Sequence, residues 1–360
     1  MPENTLASFI DKVAPTSGLR VEHDLGHGFV RLRVSEAERR QAKQDIRCVE
    51  DAVIELLRNA KDAHARMIFL ATARSGSQRR IVVVDNGDGI PEELHQAVFE
   101  PRVTSKLDTL SFDEWGVHGR GMALYSIRQN ALDAAVADSI PGEGSAISVI
   151  FDASELTERA DQSTLPPLLK NADDSWSVGS GPHNIAKAAV EFALSNREVC
   201  TVYLGSPIEI AATLYAFGKY AQRHGRGDAG ASPDDIAPVK RLAYAEDAED
   251  FVRLASRMGL EMSSRSAYRI MKGDVKPLDP LLETLDRRYA DAAPKKKKEA
   301  DLSKDFRGLK IQEEDMREFQ EALVHAYALL AERYYLDADA LPEVMVCGDQ
   351  VRVNFPLRKL

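Results

Sequence analysis

Cysteine is scarce in this chain, with Cys48, Cys200 and Cys347 the three instances in 360 residues. They lack metal-type spacing and are expected as buried small hydrophobes in a reducing compartment, not as a disulfide frame. Long apolar runs are also missing. No window approaches the roughly 18–20 uninterrupted apolar residues that a membrane helix needs, so a helical membrane span is excluded. The opening MPENTLASFIDKVAP has neither a basic start nor an apolar core, which makes export unexpected and a cytoplasmic location the expectation. Basic residues are outnumbered, 47 to 57, and the net charge of −10 excludes a wholly basic nucleic-acid coat. It still allows a local basic face. The rest is ordinary globular composition, 44% hydrophobic and 29% charged, at a length that suits two or three domains.

Periodicity supplies the first positive signal. Residues 27–34 alternate as a short strand. From Ser35 to about Ala65 the spacing is helical, with Val49, Val53, Ile54, Leu56 and Leu57 three and four apart. RMIFLATA from Arg66, RIVVV from Arg80, Ala135–Ala137 and AISVIF from Ala146 are strand-like. This order predicts a mixed sheet covered by helices on one face. Residues 153–182 shift to Ser, Asp, Pro and Gly, the composition of a linker. Helices are expected near 184–196, 206–224, 247–258, 263–272, 279–290 and 312–335, with one strand at Cys200–Leu204. The end of the chain predicts a hairpin turning at Gly348-Asp349.

Four segments carry chemistry. In ELLRNAKDA, Glu55 and Asn59 are one helical turn apart and share a face. A carboxylate there can polarise a water, and an amide can ligate Mg²⁺, which prefers oxygen. A solvated helix face is the plain alternative. DNGDGIP, from Asp85, follows the apolar strand, so its carboxylate can accept from an adenine amino group while Gly87 and Gly89 admit close approach. On its own it also suits a tight turn or a calcium-like loop. Thr104-Ser105-Lys106 comes third. Last is Gly119-Arg120-Gly121-Met122-Ala123, a glycine-rich opening of an apolar helix that can direct N–H groups and a helix dipole at an anion.

Together and in this order, ELLRNAKDA, DNGDGI, TSK and GRGMALYSI resemble the motifs of the GHKL family of gyrase, MutL, the large heat-shock chaperone and histidine kinases. The resemblance covers about residues 25–152. It implies a Bergerat fold, an α/β sandwich (α+β) that binds ATP and Mg²⁺ beneath a mobile lid. By position, it implies Glu55 as general base, Asn59 as Mg²⁺ ligand, Asp62 beside the adenine pocket and Asp85 on the adenine amino group. Gly87 and Gly89 would line the pocket, while Lys106 and the amides of Gly119 and Gly121 would meet the phosphates beside Met122. Glu55 favours hydrolysis over the phosphotransfer of histidine kinases, which usually carry Asn there, and neither His23 nor His27 lies on a helical hairpin. The hinge is closest to the MutL form, although Met122 replaces its usual acidic residue and the first glycine is displaced. A second phosphate-binding lysine, supplied in MutL and gyrase by a following domain, has Lys170, Lys187 and Lys240 as candidates without a motif.

The expected organisation is an ATP-binding domain over 1–155, a linker over 156–182, a mainly α-helical region over 183–292, and a helix plus hairpin over 299–360. Within the helical region, residues 250–273 resemble a helix-turn-helix, with Ser264, Arg265, Tyr268, Arg269 and Lys272 facing DNA. A plain helical bundle with solvated charges is the alternative. Lys295–Lys298 suits a linker, and Gly179–Asn184 suits loop punctuation or an anion site. Met316, Phe319, Leu323, Ala326 and Leu330 form a stripe expected as core, or else as a homodimer surface. The functional expectation is a Mg²⁺-dependent, slow ATPase whose nucleotide state controls a DNA-binding helical half. The alternative is a regulatory kinase or nucleotide sensor acting on a protein partner.

Overall fold

The computed structural model describes residues 21–105, 111–113, 116–118, 121–171, 176–225, 232–292, 311–347 and 350–359. The chain divides into two compact units, one reaching to Ala290 and the other beginning at Asp291.

The strands of the first unit, in chain order, are β1 (Val21–Gly26), β2 (Phe29–Leu32), β3 (Met67–Ser75), β4 (Gln78–Asp85) and β5 (Val103–Thr104). They continue with β6 (Ser111–Asp113), β7 (Gly116–His118), β8 (Asp133–Ile140), β9 (Gly144–Asp152), β10 (Leu168–Lys170), β11 (Trp176–Val178) and β12 (Thr201–Gly205). Its helices are α1 (Glu36–Asp45), α2 (Val49–Asp62), α3 (Ala123–Asn130), α4 (Ile185–Ser195), α5 (Pro207–His224), the short α6 (Pro238–Arg241), α7 (Ala248–Arg257), α8 (Ser264–Met271) and α9 (Leu281–Ala292). The single long helix expected over 35–65 is interrupted at Ile46–Cys48. There the Asp51 carboxylate accepts the Arg47 N–H at 2.9 Å and starts α2 afresh.

The central sheet has the order β12-β3-β4-β9-β8, antiparallel except for β12, which runs parallel to β3 with Val202 opposite Ile68. Its strands explain their own composition. Along β3, Ile68 and Leu70 join one core while Phe69 and Ala71 join the other. Along β4, Ile81 and Val83 face the first core, and Val82 and Val84 the second. Strands buried on both faces need continuous apolar runs rather than alternation, as in MIFLA and IVVV. The first face is covered by α2 and α4, with Leu281 and Leu285 of α9. The second is covered by α5, α7 and α8, through Ile210, Leu214, Phe251, Leu254 and Ile270.

The expectation of helices on one face is therefore corrected: the sheet carries a helical layer on each. The region expected as helical from residue 183 is built into the same sheet, because α4 leads into β12. Residues 156–182 also contribute to the core, through buried Leu156 and Leu168.

In the second unit α10 (Glu313–Tyr334) accompanies a hairpin of β13 (Glu343–Cys347) and β14 (Gln350–Asn354), in register from Glu343 opposite Asn354 to Cys347 opposite Gln350. The turn at Gly348-Asp349 lies outside the described residues. The core stripe expected on α10 is corrected: Phe319 is 44% and Leu330 51% exposed. The buried side is set by Tyr327 and Ala331 with Ala340, and Tyr327 stacks on Phe355 at 4.3 Å. Among the described residues, no helix is long and apolar enough to cross a membrane.

Candidate functional site

A cavity of about 660 Å³ opens between α2, the end of β4 and the start of α3. Its floor is set by Asp85, the last residue of β4 and 3% exposed. β9 pairs with β4 so that Ser145 lies opposite Asp85, and the Ser145 hydroxyl donates to Oδ2 at 2.7 Å. The Gly87 N–H donates to Oδ1 at 2.8 Å. Burial outweighs these donors and pushes the carboxyl up to about 6.

The loop after Asp85 is fixed at several points. The Asn86 side-chain oxygen Oδ1 accepts from the backbone N–H groups of Arg66 and Met67 at 2.9 and 2.7 Å. The Asp88 N–H donates to the Ala63 carbonyl at 2.8 Å, tying the loop to the end of α2. Gly89 needs its lack of a side chain: φ is +68°, and a Cβ would lie 2.1 Å from the Ile140 carbonyl oxygen. Gly87 is packed against Ala63 in the same way and does not itself line the cavity.

One face of α2 forms a wall. Glu55, Arg58, Asn59 and Asp62 all line the cavity, at the one-turn spacing that puts them on one side. Arg58 pairs with Glu55. Asn59 has a buried Nδ2 without a hydrogen-bond partner among the described residues, so this amide is shaped to receive one. Rotating the amide end over end presents Oδ1 instead, an oxygen ligand of the kind Mg²⁺ takes. Among the described residues there is no cluster of His, Cys, Asp and Glu able to hold a metal alone. An ion here would complete its shell with phosphate and water, which suits Mg²⁺. The opposite wall is the start of α3, with Gly121, Met122 and Ala123.

Glu55, Asn59, Asp62, Asp85, Gly89, Gly121 and Met122, singled out from sequence, thus share one cavity. Lys106 and Gly119 lie outside the described residues. Lys170, Lys187 and Lys240 are absent from its described lining, and Lys187 instead sits 3.8 Å from Glu191 on α4. Sequence reasoning missed Arg58 and Ser145. Arg58 was visible as the residue three after Glu55, whereas Ser145 depends on strand register and left no local signal. His27 also lines the cavity, paired with Glu93 at 2.8 Å.

On the far side of the sheet, α7, the turn at Gly259 and α8 form a helix pair. Ser263 caps α8 by accepting from the Ser266 N–H. Ala267 and Ile270 face inward, while Ser264, Arg265, Tyr268, Arg269 and Lys272 are all exposed. The Lys272 ammonium lies 4.7 Å from the centre of the Tyr268 ring.

Comparison with known proteins agrees with this geometry. Residues 46–168 match the family described as histidine kinase-, DNA gyrase B- and HSP90-like ATPase. Over 90 residues the chain is 50% identical to the DNA mismatch repair protein MutL of Thermus aquaticus, and over 86 residues 45% identical to that of Thermus thermophilus. Each match takes 23% of this chain and 15% of the relative, so the chain spans a small part of the proteins it resembles. Asp85 and the α2 wall lie within the matched segment, while His27, Phe29 and Asp45 line the cavity from before it, and it is this segment, residues 46–168, that is similar to the GHKL ATPase superfamily.

Proposed function

We propose that this cavity binds ATP with Mg²⁺ and that the chain hydrolyses it slowly. The observation that carries the reading is the placement of Asp85 and the Glu55–Asn59 face of α2 on one cavity, at its floor and wall. Asp85, held by Ser145 and Gly87, accepts the adenine amino group, while Gly89 lets the base approach. Asn59 would hold Mg²⁺, which when bound neutralises charge on the phosphates. Gly121, at the opening of α3, offers its amide to the phosphate oxygens, a task the motif also assigns to Lys106 and Gly119, which lie outside the described residues. Glu55 accepts a proton as water attacks the terminal phosphorus. The bond from that phosphorus to the bridging oxygen breaks, and ADP leaves with the electron pair.

The test is phosphate release with Mg²⁺, measured beside nucleotide binding. Glu55→Ala should lower turnover by about 100-fold or more while ATP binding persists. Unchanged turnover in Glu55→Ala would remove Glu55 as the base, and labelled phosphate retained on protein would favour a kinase.

The same proposal gives the second helical layer a partner. The exposed side chains of α8 suit DNA, with Arg265, Arg269 and Lys272 for phosphates and guanine edges and Ser264 and Tyr268 for phosphates. Nucleotide state in the cavity would then bias DNA binding across the sheet, and ATP-driven pairing of two copies would be read by sedimentation with and without nucleotide.

A further inference from the structure

Helix α2 serves as a ruler along the cavity. Its last turn touches the loop after Asp85, since Ala63 accepts the Asp88 N–H at 2.8 Å. Glu55 precedes Ala63 by eight residues and Arg58 by five, about 12 Å and about 8 Å of helix at about 1.5 Å per residue. With adenine on Asp85, those offsets carry Glu55 and Arg58 away from the base and toward the reach of a triphosphate.

The charge around the cavity is informative. The described lining holds the carboxylates of Asp45, Glu55, Asp62, Asp85 and Asp88, with Arg47 and Arg58 as its fixed cations. Arg47 is exposed. Arg58 has a side chain that is 4% exposed, and its guanidinium pairs with Glu55, itself 22% exposed. A guanidinium offers five donors in one plane and can hold a carboxylate and a phosphate together, and a doubly charged phosphate outcompetes a single carboxylate for it.

We propose that Arg58 contacts the terminal phosphate of bound ATP, and that its pairing with Glu55 holds it ready for that contact. The inference rests on the ATP reading above. Entry of the terminal phosphate draws the guanidinium from Glu55, which loosens the carboxylate's hold on a cation and leaves it a better proton acceptor for the attacking water. ADP lacks the phosphate that makes the exchange, so Arg58 separates the two nucleotides. A role limited to offsetting the charge of Glu55 in the wall would affect both nucleotides alike.

The experiment titrates the full chain in Mg²⁺ with ADP and with the non-hydrolysable β,γ-imido analogue of ATP, for wild type, Arg58→Gln and Arg58→Lys. Arg58→Gln should weaken the imido analogue about tenfold or more while leaving ADP within about twofold. Arg58→Lys keeps the charge but not the planar fork, so it should lose less, again for the imido analogue alone. It also carries the comparison should Arg58→Gln fail to fold. Parallel weakening of both nucleotides, or no weakening of either, overturns the proposal. Wild type that binds neither nucleotide refutes the ATP reading itself, a different result from parallel weakening.

Discussion

Asp85 shows what burying a carboxylate costs before any ligand arrives. Its carboxyl is pushed up from 3.8 to about 6, with burial the largest cause. The fold therefore prefers the protonated form. Its penalty is absent below the unfolded value, grows as pH rises from about 4 through about 6, and is complete above that. Asp85→Asn removes the titration, so the difference in unfolding free energy between variant and wild type should grow over that window. By linkage it levels off at about 2–3 kcal/mol in favour of the variant. Denaturant unfolding at a series of pH values measures this, and a pH-independent difference would show that Asp85 is not held as described. The site tolerates the cost because an ionised acceptor, already aimed by Ser145 and Gly87, needs no reorganisation to meet a donor.

Helices and strands were legible wherever one period ran unbroken. The limits of α4, α5, α7 and α8 fall within a residue or two of those expected, since Asn184, Ser206, Asp247 and Ser263 cap them in the sequence as in the structure. Much of the candidate site was legible for the same reason: its wall is one helix face and its floor one strand end, both local. The second layer was not, although MIFLA and IVVV lacked the alternation of a half-solvated sheet. The stripe on α10 failed because several faces of that helix carry apolar residues, and its hairpin, with Phe355 against Tyr327, decides which is buried. Gly259 shows how the helix pair is seated. Its φ is +80°, and a Cβ would lie 2.8 Å from the Cβ of Ser148 on the sheet. Gly259→Ala should cost about 1–3 kcal/mol of stability, read as a lower unfolding midpoint, and an unchanged midpoint would mean the turn can move off the sheet. For α8, neutralising Arg265 and Arg269 together should weaken DNA binding and lower the salt slope by about two. If DNA binding and its salt slope survive, α8 is a solvated face.

The molecule as a whole places the proposed nucleotide cavity and the exposed cations of α8 on opposite sides of one sheet. The Asp85 strand lies between the two cores, with Val83 in one and Val84 in the other. A chain shortened to end at residue 155 would lose α4 and β12, hence buried Ile185, Val190, Phe192 and Val202, as well as the entire second layer. It should aggregate, whereas a chain ending at residue 290 should unfold in one cooperative transition. A stable, cooperative 1–155 fragment would show that the second layer is an attachment rather than part of the fold. The central claim, however, is that this cavity holds an adenine nucleotide through Asp85. Calorimetric titration of ATP with Mg²⁺ into wild type and Asp85→Asn addresses it directly. Saturable binding to wild type, competed by ADP and weakened about tenfold or more in Asp85→Asn, is the expected result. Equal affinity in the two proteins, or no binding to wild type, would contradict it.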